Sequence, residues 1–273
     1  MISIDEYAKY DGLGLAELVA KKEVTPQELA DTALAAVERV NPKLNAVLQR
    51  LPEQARAEIG RGLPEGPFRG VPFVIKELVI HAKGVRLDSG CKLTQGFVPQ
   101  ADTELMARFR RAGLVLVGTT QTPELGYNPT TETVLHGPVH NPWDQNRSAG
   151  GSSGGSGASV AAGIVPVAHA NDGGGSIRIP ASCNGLVGLK PTRDRIPTGP
   201  DYADPLCGLA IEFAVSRTVR DTAALLDAVA GPDLGAPSQC VPQARPYRDE
   251  VGAKPGKLRI AFATRPASGR PAD

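Results

Sequence analysis

Gly150-Gly151-Ser152-Ser153-Gly154-Gly155-Ser156, followed by Gly173-Gly174-Gly175-Ser176-Ile177-Arg178-Ile179-Pro180, is the pair of runs on which the reading of this chain turns. Glycine at this density lets the backbone take positive φ and lets main-chain N–H groups approach a bound molecule closely, so serines within it can stand at a reacting centre. Upstream, Lys76 sits in the apolar stretch Val71 to Ile80, wrapped by Val74, Ile75, Leu78 and Val79. A lysine in such a setting is a candidate for a lowered pKa, hence for a neutral amine that can take a proton. Alone, an apolar-flanked lysine is commonly a strand-end residue reaching for water, and a Gly/Ser run is commonly a linker or an anion-binding turn. Together they read as a Ser-Ser-Lys acyl-transfer site.

Working outward, Val71 to Ile75 is a short run with β-branched residues, a buried strand that delivers Lys76 at its end. Ser152 to Ala162 alternates small residues and is a helix only if it packs tightly on a sheet, because glycine weakens its propensity. Ile164 to Ala168 follows as a buried strand. Thr25-Pro26-Gln27-Glu28 combines an N-cap, a first-turn proline and a capping-box glutamate, opening an amphipathic helix that runs to about Asn41-Pro42. Asp102 caps a helix through Arg111, with Gly113 as its stop and Leu114 to Val117 as the next strand. Thr218 caps a helix whose Ala223, Leu226 and Val229 face inward until Gly231-Pro232. Leu258 to Phe262 reads as one more strand, and Pro232 to Pro255 as an exposed connection. Strands alternating with helices imply an α/β layered fold around a largely buried sheet, with no internal repeat.

Composition narrows the function classes. The chain has 273 residues, 41% hydrophobic and 22% charged, which is globular composition rather than that of a disordered chain. Thirty basic against 29 acidic residues give a net charge of +1, so no global field draws it to nucleic acid or an anionic membrane. Small-molecule or peptide-like substrates are the expectation. Cys91, Cys183, Cys207 and Cys240 form no Cys-x-x-Cys pair and are read as reduced, mostly buried thiols. No signal-peptide pattern opens the sequence and no stretch approaches a membrane span, so a cytoplasmic setting is expected.

Rival chemistries fail on the sequence. Gly150-Gly151-Ser152-Ser153-Gly154 satisfies the G-x-S-x-G elbow of α/β-hydrolases, which requires an acid and then a histidine downstream. After Ser152 the only histidine is His169, and no Asp or Glu lies between them. Neither glycine run ends in Gly-Lys-Ser/Thr, so a nucleotide-binding P-loop is unsupported. His136 and His140 are four apart, but Gly137-Pro138 between them prevents one helical face from presenting both to a metal.

The two runs, with Arg69-Gly70-Val71-Pro72-Phe73-Val74-Ile75-Lys76, Gly118-Thr119-Thr120-Gln121-Thr122-Pro123-Glu124, Asn141-Pro142-Trp143-Asp144 and Gly185-Leu186-Val187-Gly188-Leu189-Lys190-Pro191-Thr192, resemble the amidase signature family. The resemblance covers nearly the whole chain and is most specific over residues 69–197. It implies one amidase-signature domain over residues 1–273, with a helical segment at about 1–60 and a catalytic core at about 66–230, built on a central mixed sheet flanked by helices. It implies Ser176 as nucleophile, Ser152 as relay serine and Lys76 as general base, with 24 positions between the serines as expected for these roles. It also implies a cis peptide at Gly151-Ser152. Backbone N–H groups of Gly173, Gly174, Gly175 and Ser176 are the natural oxyanion donors. No cofactor and no metal is implied, and the partner is a small-molecule amide.

Glu77 stands where many members carry aspartate, and His169-Ala170-Asn171-Asp172 replaces the Ser-Asp-Thr of glutaminase-type members. That loop resembles the branch containing 6-aminohexanoate cyclic-dimer hydrolases. The glutaminase component of a tRNA-dependent amidotransferase is the alternative. Family members continue well beyond this length, so a second expectation is a sheet and pocket completed by other polypeptide, through a complementing C-terminal fragment or a homodimer, and a third reading is a catalytically silent fragment. Asp172 and Arg178 flank the nucleophile loop as braces or substrate contacts, and neither is assigned to the catalytic set.

Overall fold

The computed structural model describes residues 2–262. Among them, eight strands form two sheets: β1 (Val47–Arg50), β2 (Pro72–Lys76), β3 (Val115–Thr120), β4 (Glu132–Thr133), β5 (Gly137–Pro138), β6 (Val167–Asp172), β7 (Val187–Gly188) and β8 (Ile211–Ser216). The large sheet has the order β1-β3-β2-β6-β8-β7, and β4 pairs with β5 separately. Strands β3, β2 and β6 are parallel, whereas β1, β8 and β7 run antiparallel to their neighbours, giving the mixed sheet expected. The carboxyl ends of β2 and β6 therefore emerge at the same end of the sheet, where Lys76 and Asn171-Asp172 lie.

Helices α1 (Ile4–Tyr7), α2 (Gly12–Ala20), α3 (Pro26–Leu44), α4 (Pro52–Gly60), α5 (Glu104–Arg111), α6 (Gly154–Ala161), α7 (Arg178–Asn184) and α8 (Val219–Val229) complete the fold. Helix α3 starts on the predicted capping box: Thr25 Oγ1 accepts from the Glu28 N–H at 3.1 Å, and Glu28 Oε2 accepts from the Thr25 N–H at 2.9 Å. It continues through Pro42 to Leu44, past the predicted end. Proline forfeits one backbone bond there, but Asn41 Oδ1 takes the Ala46 and Val47 N–H groups and holds the last turn. The cap of α5 is Thr103, one residue beyond the prediction, because Asp102 is occupied by the Lys83 N–H and Arg110.

One hydrophobic core joins the N-terminal helices to the sheet, with Tyr7, Leu15, Leu29, Phe68, Phe73, Phe109 and Phe213 all buried in it. The rings of Phe73 and Phe109 meet at 4.8 Å between centroids. Burying one such side chain contributes roughly 1.5–3 kcal/mol, so the Phe73–Phe109 pair fixes β2 against α5. Helix α6 shows why its sequence is so small. A Cβ on Gly155 would lie 2.5 Å from the Gln121 nitrogen and one on Gly154 2.3 Å from Thr131 Oγ1, so the run packs where no side chain fits.

Three expectations are corrected. The strand read at Ile164 to Ala168 is β6, shifted to Val167–Asp172: its ladder with β8 opens at Val167, just after Pro166, which has no N–H to contribute. Leu258 to Phe262 is not a strand: no described strand lies alongside to complete its ladder, and Ile260 and Phe262 are 82% and 89% exposed. The cysteines are free, as read, but none is buried; Cys183 and Cys207 are exposed and the other two intermediate. Among the described residues, no helix is long and apolar enough to cross a membrane.

Candidate active site

Lys76 ends β2 fully buried, its Nζ 2.6 Å from Ser152 Oγ and 2.5 Å from Asn171 Oδ1. Desolvation by burial pushes its pKa down to about 7, against the opposing pull of the Glu212 and Asp172 carboxylates. Asn171 fixes the direction of this contact. Its Nδ2 donates to the Leu78 carbonyl at 3.0 Å, so its Oδ1 is the atom offered to the amine. A neutral amine giving one N–H to Asn171 keeps its lone pair for the Ser152 hydroxyl.

Ser152 follows a cis peptide bond at Gly151-Ser152, as the resemblance implies. A Cβ on Gly151 would come within 2.7 Å of Asn128 and Thr130 backbone atoms, so the turn before α6 is closed by backbone on backbone. Ser176 lies just before α7, half-buried, and its hydroxyl makes no hydrogen bond among the described residues. Ser152, Asn171, Gly173, Gly174 and Ser176 share the wall of one cavity of about 640 Å³.

The nucleophile loop is built around Asp172. This buried carboxylate accepts from the Gly175 N–H at 2.7 Å, the Ile177 N–H at 3.1 Å, and the Arg178 guanidinium in a fork at 2.8 Å to each oxygen. Burial by itself would raise its pKa; Arg178 and the backbone donors outweigh that and hold it below the usual carboxylate range. Asp172 and Arg178 are thus braces. The Gly175 N–H, committed to Asp172, is withdrawn from the expected oxyanion set, while Gly173 and Gly174 stay open to the cavity. The Asn141-to-Asp144 stretch is a second brace: Asn141 Nδ2 reaches the Cys183 carbonyl at 2.8 Å and Trp143 Nε1 the Asn184 carbonyl at 2.9 Å, tying it to α7.

Glu77, Asp88 and His136 bring candidate metal-ligand atoms within 4.8 Å of one another. All four carboxylate oxygens are already engaged, by the Asp88, Gly90 and Gly96 N–H groups and by Arg86, so this cluster pins the loop after β2. His140 is elsewhere, its Nδ1 on the Gln145 carbonyl. Sequence reasoning missed Asn171 as the partner of Lys76 and missed β8, whose Glu212 lines the cavity and bonds His169.

The sequence pattern of the family described as Amidase matches residues 28–271. The chain belongs to the amidase family. It is 46% identical over 259 residues to a 6-aminohexanoate-cyclic-dimer hydrolase of Paenarthrobacter ureafaciens, covering 93% of this chain and 52% of that enzyme. A solved structure of 6-aminohexanoate cyclic dimer hydrolase complexed with substrate superposes with a TM-score of 0.90 at 43% identity, over 94% of this chain and 54% of that one. A glutamyl-tRNA(Gln) amidotransferase component of Thermotoga maritima is more distant, with a TM-score of 0.68 at 28% identity over 89% of this chain and 50% of that one. This amidase chain spans about half the length of the relatives it matches.

Proposed function

We propose that this chain carries the amide-cleaving centre of a hydrolase, with Ser176 as nucleophile, Ser152 as proton relay and Lys76 as base. The observation that carries the reading is the buried Lys76 amine, pushed down to about 7 and 2.6 Å from Ser152 Oγ, at a cavity that Ser176 also lines. Neutral Lys76 accepts the Ser152 proton while Ser152 takes that of Ser176, whose oxygen bonds to the amide carbonyl carbon. The oxyanion so formed is received by the N–H groups of Gly173, Gly174 and Ser176. Collapse breaks the C–N bond as the proton returns through Ser152 to the leaving nitrogen, which departs as a neutral amine. Water then attacks the acyl-enzyme by the same route and releases the acid. The Ser176 hydroxyl must turn to Ser152 in the substrate complex, where such contacts commonly tighten.

The glutaminase reading is disfavoured by charge. Free glutamine brings an α-carboxylate that needs a cationic partner, and among the described residues the cavity lining includes Asp172 and Glu212 but no lysine or arginine. The same proposal takes a small-molecule amide as substrate and the cytoplasm as setting. Its macromolecular partner is a complementing C-terminal polypeptide or a second copy of this chain.

Labelling by a fluorophosphonate tests the roles. The chain, alone or supplied with a C-terminal polypeptide in trans, is expected to label, and Ser176→Ala to abolish it. Labelling that survives Ser176→Ala but disappears with Ser152→Ala reverses the two serines.

A further inference from the structure

Among the described residues, Glu212 is the one cavity-lining carboxylate whose charge is not taken up by a cation. It is 3% exposed, stands opposite Asn171 in the β6–β8 ladder, and lines the same cavity as Ser176. Asp172, the other carboxylate there, is spent on Arg178 and two backbone N–H groups. Glu212 Oε2 meets only His169 Nε2, at 2.7 Å. His169 is itself fully buried, and its Nδ1 has no hydrogen-bond partner. A proton on that nitrogen would be a buried donor with no acceptor, which is costly, so the geometry favours the neutral ring donating its Nε2–H to Glu212. The histidine then orients the carboxylate without neutralising it. Oε1 has no hydrogen-bond partner among the described residues, and no ion pair joins Glu212 to Lys76.

A buried carboxylate with an unused oxygen facing a cavity selects for a donor, and a cationic donor above all. Leu78, Val79, Ile179, Pro205 and Leu206 give the wall an aliphatic stretch that offers contact to a hydrocarbon chain, beside the polar side chains of Tyr127, Asn128 and Tyr202. We propose that Glu212, oriented by His169, anchors a protonated amine on the substrate, so that this site takes linear aliphatic amides bearing an ammonium group. A closed cyclic amide has no free amine to offer and gains nothing from the anchor. The inference rests on the amide-cleaving reading for what happens to the substrate, but not for how the amine is held.

Binding without turnover separates the two. In the full chain carrying Ser176→Ala, calorimetry at pH 8 compares hexanamide with 6-aminohexanamide, whose amine is protonated there. The amino compound is expected to bind about tenfold or more tightly, the ordinary worth of a charge-assisted hydrogen bond. Adding Glu212→Gln should bring the ratio close to one, and Glu212→Asp should retain part of it. Equal affinity of the two amides in the Ser176→Ala chain overturns the proposal whether or not any Glu212 variant folds, as does a ratio that persists in a folded Glu212→Gln protein. Failure of the labelling assay with the ratio intact would sink the nucleophile assignment and leave the anchor standing.

Discussion

Lys76 and Asp172 are buried charged residues at the same end of the same sheet, on neighbouring strands, and the protein treats them in opposite ways. Asp172 is matched on both oxygens by a bidentate arginine and by backbone N–H groups, and stays ionised. Lys76 is given two neutral oxygens and carboxylates too far to pair with, so burial dominates and its proton is held loosely near neutral pH. A buried charge with a complete set of partners is a building element; one left short of partners is available for proton transfer.

Lys76→Met is expected to lower amide turnover by about 10³-fold or more while changing substrate affinity little, read as a fall in kcat at nearly constant KM. Near-normal turnover would require a different base. Asp172→Asn should act on folding instead, costing about 1–2 kcal/mol in urea denaturation, because the loop N–H groups lose their ionised acceptor while the half-exposed Arg178 can turn to water. Its folded pKa is depressed, so the stability it contributes is present above the unfolded value and is lost as pH falls through the folded one. The wild-type advantage over Asp172→Asn should therefore shrink in acid, and an advantage that is constant with pH would contradict the assignment.

Smaller effects sharpen the contrast. Asn171→Asp puts an anion 2.5 Å from the amine in place of a neutral oxygen, and should move the acid limb of the pH–rate profile upward by about one unit or more. An unmoved limb would mean that Asn171 does not set the state of Lys76. Lys76 also has a linkage signature. The unfolded chain keeps its proton up to about 10.5 and the folded chain only to about 7, so the unfolded state binds more protons in that window and stability rises with pH across it. Lys76→Met should flatten that rise.

Local signals carry much of this in the sequence. The capping box at Thr25, the N-cap at Thr218, the β-branched run ending at Lys76 and the small-residue helix after Ser152 each involve residues close along the chain, and each stands in the structure near where its local pattern puts it. The partners of the site are a different matter. His169 and Glu212 are 43 positions apart, and Lys76 and Asn171 are 95 apart. Nothing in either local pattern specifies a mate. Strand β8, Ile-Glu-Phe-Ala-Val-Ser, is buried on both faces, so it lacks the alternation that marks a half-exposed strand. The loss of the Gly175 N–H from the oxyanion set is equally hidden, because a glycine run tells where backbone can come close but not which N–H an internal carboxylate will claim.

The most direct test of the contrast is the titration of Lys76 itself, which needs no turnover. With lysines labelled at Cε and the Lys76 resonance assigned by its absence in Lys76→Met, its NMR shift followed from pH 5 to 11 is expected to show a midpoint near 7. A midpoint near 10.5, the ordinary lysine value, would show an amine that stays cationic at neutral pH and would contradict Lys76 as the base.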